Sequence, residues 1–135
     1  MAHLLPEYHI HLVGKCTEGL TTDEPNVTLH GYKSDTALNK LMQHSHIFVN
    51  LVTEGSGTHL KIAKALAYGL PVVTLQAGAR GYNDVLITDL GRISDDVRSI
   101  TRDWNNRHNN ALNAAQSYDW QKIRPQFAEV IHALQ

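Results

Sequence analysis

Hydrophobic and polar positions along the chain follow two alternating periods. Tyr8–Val13 (YHIHLV) is a short β-prone run closed by Gly14, and Val27–His30 (VTLH) is a second, closed by Gly31. From Asp35 to His44 the period lengthens to that of a helix. Leu38, Leu41 and Met42 form the i, i+3, i+4 stripe, and Asp35 is placed to cap it. Ile47–Val52 (IFVNLV) is nearly all apolar, as a strand covered by helices on both faces should be. Thr58–Tyr68 reads as a helix; Gly69 offers a left-handed C-terminal cap and Pro71 forbids continuation. Val72–Leu75 is a fourth strand, Ala77–Asp84 a loop of small and polar residues, and Val85–Ile87 a short fifth strand. Ser94–Trp104 is helical, with Asp95 and Asp96 suiting the positive end of the helix. Asn105–Asn110 is expected to break it, and Ala111–Ser117 and Asp119–Leu134 to complete a helical C-terminus kinked at Pro125. Trp120, Ile123, Phe127 and Ile131 fall at helical spacing as a core-packing stripe.

Strands alternating with helices predict an α/β fold: a Rossmann-like parallel sheet of about five strands with helices on both faces. The helices at 35–44 and 57–68 are expected to cross over between neighbouring strands in the right-handed sense. A length of 135 residues fits a single domain spanning 1–135, or part of one. The apolar share, 42% before glycine is counted, excludes a disordered chain. Twelve basic side chains against thirteen acidic ones leave a net charge of −1, so there is no basic field for nucleic acid. Cys16 is the single cysteine, which rules out an internal disulfide and suits a reducing, cytosolic setting. No apolar run is long enough to span a bilayer, and Met1–Pro6 has no signal-peptide pattern.

In open parallel sheets ligands bind beyond the carboxyl ends of the strands. That singles out the loops Gly14–Glu24, Gly31–Asp35 and Thr53–Thr58. The third carries most chemistry. Gly55, Ser56 and Gly57 form a flexible turn, and the helix behind it would aim free N–H groups outward beside the Thr58 hydroxyl. Such a corner suits a diphosphate or a carboxylate; a glycine-rich turn that merely joins two elements has the same sequence. Glu54 precedes it, placed either to bond sugar hydroxyls or simply as an exposed turn residue. Gly57, Lys61, Lys64 and Tyr68 share one helix face, suited to a phosphate or to solvent, opposite Ile62, Ala63 and Leu66. Nine histidines raise the question of a metal. His9 and His11 share a strand face, while His44 and His46 need not converge. With no HExxH, second cysteine or carboxylate cluster, no metal site is expected. No G-x-S-x-G elbow is present, and Cys16 reads as an inert thiol.

The order VTLHG, HIFVN, Glu54-Gly-x-Gly57-Thr, then Ala65-Leu-Ala-x-Gly69-x-Pro-Val-Val73 resembles the C-terminal domain of GT-B glycosyltransferases, the retaining group 1 (family 4) type above all. The resemblance covers roughly residues 7–135. It implies a domain that binds a nucleotide-diphosphate sugar as donor substrate, with no other cofactor. Gly55–Thr58 and Lys61 would face the diphosphate, Glu54 would be the acidic catalytic residue near the sugar, and Gly31 and Tyr32 would lie near the nucleobase. The acceptor would be a glycan or cell-envelope precursor. Two departures stand out. Lys64 occupies the place of a ribose-binding glutamate, and a cation cannot accept from two hydroxyls. The family's first strand, its Arg/Lys loop and its N-terminal domain have no counterpart here. The resemblance therefore implies a partial domain, inactive alone, that works with an acceptor-binding domain or subunit, cytoplasmic or brought to the membrane surface by that partner. An unpaired sheet edge is a route to self-association. The alternative is a non-catalytic relative that docks on a partner subunit.

Overall fold

The computed structural model describes residues 2–54 and 60–119. They form an α/β fold in which every strand pairing is parallel. The chain divides into two compact units, Met1–His44 and Ser45–Gln135.

In the first unit β1 (Ile10–Leu12) pairs with β2 (Val27–Leu29), His11 opposite Thr28. Both strands end where the sequence places a glycine. Gly14 and Gly31 have φ of 142° and 61°, conformations that cost side-chain-bearing residues dearly. The start of the unit is held by Asn26, whose amide nitrogen lies 3.0 Å from the carbonyl oxygens of Leu5 and Tyr8. Helix α1 (Asp35–Gln43) follows, with Met42 buried. Its cap is Ser34, not Asp35: the Ser34 hydroxyl accepts from Ala37 N at 3.3 Å, and Asp35 occupies the first helical position. The correction is one of phase, because serine supplies the same short oxygen one residue earlier.

In the second unit β3 (Phe48–Asn50), β4 (Val72–Leu75) and β5 (Leu86–Thr88) form a sheet in that order. Val72, Val73 and Thr74 are all buried, so the middle strand is covered on both faces. The expected sheet of about five strands is thus realised as ladders of two and three among the described residues. Helix α1 connects β2 to β3, which are not ladder neighbours, whereas α2 (Leu60–Ala67) does cross between the paired strands β3 and β4. Helix α2 turns its buried side, Ile62, Ala65 and Leu66, to the core. It ends as its sequence demands. Gly69 has φ +70°, Gly69 N donates to Leu66 O at 2.8 Å, and Leu70 N to Ala65 O at 3.0 Å. These two bonds are the Schellman pattern, and they satisfy carbonyls that the helix end leaves open.

Helices α3 (Ile93–Arg102) and α4 (Trp104–Ala115) differ from expectation at their junction. The break falls at Asp103, and α4 runs unbroken through Asn105–Asn110. Asparagine-rich sequence has low intrinsic helicity, but tertiary contacts outweigh it. Trp104 Nε1 donates to His46 O at 2.8 Å, His108 Nδ1 lies 2.7 Å from Gly69 O, and Ala111 and Ala114 are buried. The Asp119–Leu134 helix, its Pro125 kink and its apolar stripe lie outside the described residues. No described helix is long and apolar enough to cross a membrane.

Candidate functional site

The carboxyl edge of the three-stranded sheet is built on a buried polar lock. Asn50, the last residue of β3, is 3% exposed, and Thr74, in β4, is completely buried. Asn50 Nδ2 donates to Thr74 Oγ1 at 3.2 Å, and Thr74 Oγ1 lies 3.0 Å from Asn50 O. Gly78, in the 3-10 turn Gln76–Ala79 after β4, closes on the pair: a Cβ there would overlap both Thr74 Oγ1 and the Asn50 amide. A buried amide and hydroxyl are costly unless bonded, and these bond each other across the ladder. The lock fixes the strand ends from which residues 51–54 lead to Glu54. Pattern reading passed over both residues. The signal available was one asparagine in an otherwise apolar strand.

Glu54 is exposed in a bend four residues beyond that lock. Gly55, Ser56, Gly57 and Thr58 lie outside the described residues. Lys61 is exposed in the first turn of α2, and Lys64, one turn later, is half-buried. Along the same edge Thr53, Gln76, Arg80, Thr88 and Asp89 line an open depression beyond β4 and β5. A more enclosed cavity of about 470 Å³ lies at the opposite edge, lined by Pro71 and Val72 where β4 begins and by Val85 and Leu86 where β5 begins. Parallel α/β sheets bind ligands at the carboxyl edge, so the enclosed cavity is the poorer candidate despite its shape.

In the first unit the loops after β1 and β2 are knotted together at their own carboxyl edge. Gly14 N donates to Gly31 O at 2.8 Å. The Thr17 hydroxyl donates to Gly14 O at 2.8 Å and accepts from Gly31 N at 2.9 Å. Tyr32 N donates to the Glu18 carboxylate at 3.1 Å. Both backbone amides at Gly31–Tyr32 are therefore already engaged. The Tyr32 ring, 63% exposed, remains open, with Lys15 Nζ 5.8 Å from its centroid. An open phenol ring flanked by a cation is suited to stacking on a planar base.

The histidines separate into distinct environments. His44 Nδ1 lies 2.8 Å from Lys40 O at the end of α1, and His46 meets the edge of Trp104. His9, immediately before β1, and His11 within it are both exposed, on one side of the chain as their spacing required, with ring centroids 4.8 Å apart. His30 joins them from the chain after β2, with His11 Nδ1 and His30 Nε2 2.9 Å apart. Burial holds the His11 imidazole below its ordinary value, and the neighbouring His9 and His30 charges push the same way. Among the described residues no three His, Cys, Asp or Glu side chains are grouped so as to hold a metal ion.

A family model described as glycosyl transferases group 1 matches residues 1–103. The match takes in all five strands of the described residues and runs to the Asp103 break ahead of α4. No curated protein shows a significant match to the chain.

Proposed function

Because the chain belongs to the group 1 glycosyl transferases, we propose that it is the donor-binding part of such an enzyme. It holds a nucleotide-diphosphate sugar, while an acceptor-binding domain or subunit presents a glycan or cell-envelope precursor. Transfer breaks the bond between the anomeric carbon and the diphosphate, forms one to an acceptor hydroxyl oxygen, and releases the nucleoside diphosphate together with the proton of that hydroxyl. The residues 1–135 act as one donor-binding domain and transfer little sugar without the partner.

One observation carries the reading: within the matched region, Glu54 stands at the carboxyl edge of a parallel sheet, at the head of the segment leading into α2. That is where a Rossmann-like fold takes its ligand. In this proposal the Gly55–Thr58 turn and Lys61 receive the diphosphate, through N–H groups and positive charge. Glu54 accepts hydrogen bonds from sugar hydroxyls, and Gly31 and Tyr32 contact the base. With the Gly31 and Tyr32 amides bonded internally, the base contact falls to the Tyr32 ring.

The second reading, a non-catalytic relative that docks on a partner subunit, is favoured by Lys64, which stands half-buried in α2 where the resemblance expects a ribose-binding carboxylate. Titration with UDP-, GDP- and ADP-sugars, followed by NMR, separates the two. Donor binding predicts shifts confined to Gly31–Tyr32 and Glu54–Lys61. No shift at millimolar nucleotide sugar would overturn it in favour of docking.

A further inference from the structure

The exposed face of β1 and β2 gathers three imidazoles that the proposed glycosyl transfer does not use. His9 immediately precedes β1, His11 lies in it two residues on, and His30 follows β2 on the same side. Their rings form a row, His9 to His11 at 4.8 Å between centroids and His11 to His30 at 5.1 Å. His9 Nε2 is engaged by Thr28 Oγ1 at 2.8 Å. His11 Nδ1 and His30 Nε2 are hydrogen-bonded to each other at 2.9 Å, with His11 exposed and His30 partly so.

We propose that His11 Nδ1 and His30 Nε2 chelate a divalent transition-metal ion of the nickel or copper type. Imidazole nitrogen is a preferred donor for these cations. At 2.9 Å the two nitrogens are hydrogen-bonded to each other, and a turn of each ring would aim both lone pairs at one ion. Backbone pairing of β1 with β2, continued by His30 N donating to Leu12 O at 2.9 Å, holds the two residues side by side. Binding exchanges the hydrogen bond between the rings for two metal bonds. The proton they share moves through solvent to the free nitrogen of its own ring, so neutral imidazoles release no net proton. Water fills the other positions, consistent with the absence of a third grouped ligand among the described residues. The ion would clip β1 to the residue immediately before Gly31.

The test is calorimetric titration of the full, untagged chain with Ni²⁺ at neutral pH in a non-chelating buffer. One ion should bind per chain. His11→Gln and His30→Gln should each weaken Ni²⁺ binding by at least about tenfold, the scale on which even supporting residues of metal sites matter. His9→Gln and His44→Gln should leave affinity within about twofold. Circular dichroism checks that each variant folds. NMR of the native chain gives a second measure, in which substoichiometric Ni²⁺ broadens His11 and His30 before the other histidines. No uptake by the native chain would overturn the proposal. So would affinity unchanged in both His11→Gln and His30→Gln, or broadening that spares this pair.

Discussion

His108 and Gly69, thirty-nine positions apart, are joined by a 2.7 Å hydrogen bond between the imidazole Nδ1 and the carbonyl oxygen. The same ring stacks on Trp104 at 4.6 Å, so α4 is pinned to the turn that ends α2. His108→Ala removes both contacts and strips a partner from Gly69 O, an expected cost of about 1–3 kcal/mol. Gly69→Ala meets two penalties. The left-handed backbone costs roughly 1–2 kcal/mol, and the new methyl overlaps the His108 ring. Urea midpoints followed by far-UV circular dichroism measure both. An unaltered His108→Ala midpoint would show that the contact carries no stability.

Thr74→Val keeps the shape of the side chain but deletes the oxygen that receives Asn50 Nδ2. A buried donor left without a partner costs about 1–3 kcal/mol. Asn50→Ala combined with Thr74→Val should therefore lose less than the sum of the two single changes. A double-mutant cycle on unfolding free energies reads that coupling, and strict additivity would contradict the lock.

The first unit should weaken in mild acid. His11 titrates lower when folded, chiefly through burial and then through His9 and His30, so the unfolded chain binds more protons. Stability consequently rises with pH across this window. It is fully present above the unfolded imidazole value of about 6.5 and falls away as the pH drops through that value toward the folded one. Comparing urea midpoints at two pH values on either side tests this. His11→Gln should show a smaller acid loss than the native chain, and an equal loss would refute the assignment.

Lys64→Glu should tighten nucleotide-sugar binding if α2 contributes a ribose contact at that position. A carboxylate accepts from two vicinal hydroxyls where an ammonium accepts from none. One or two new charge-assisted bonds correspond to roughly a tenfold gain or more, readable by calorimetry. Unchanged affinity would detach Lys64 from the donor site.

The elements most readable from sequence were those bounded by glycine. Gly14, Gly31 and Gly69 end β1, β2 and α2 because a positive φ is cheap only there. Strand partners were not readable in the same way. An apolar run such as Ile47–Val52 says that a strand is covered, not which neighbour it pairs with, and among the described residues β3 pairs with β4 alone. The Asn105–Asn110 stretch misled because local propensity says nothing of Trp104 reaching His46 or His108 reaching Gly69. Glu54 at a strand end was legible from its place before a helix. Asn50 and Thr74 were not, since an isolated polar residue breaks no period. His30 joined His11 only through a strand register that spacing along one strand cannot express.

Gly78 has a broader implication for mutational scanning. Its backbone presses so closely on Asn50 and Thr74 that even a methyl group has nowhere to go. A saturation library at this codon should return glycine almost alone. Such intolerance would mark a shortage of volume beneath the loop, and anyone ranking positions by intolerance would mistake a spacer for a participant in the reaction.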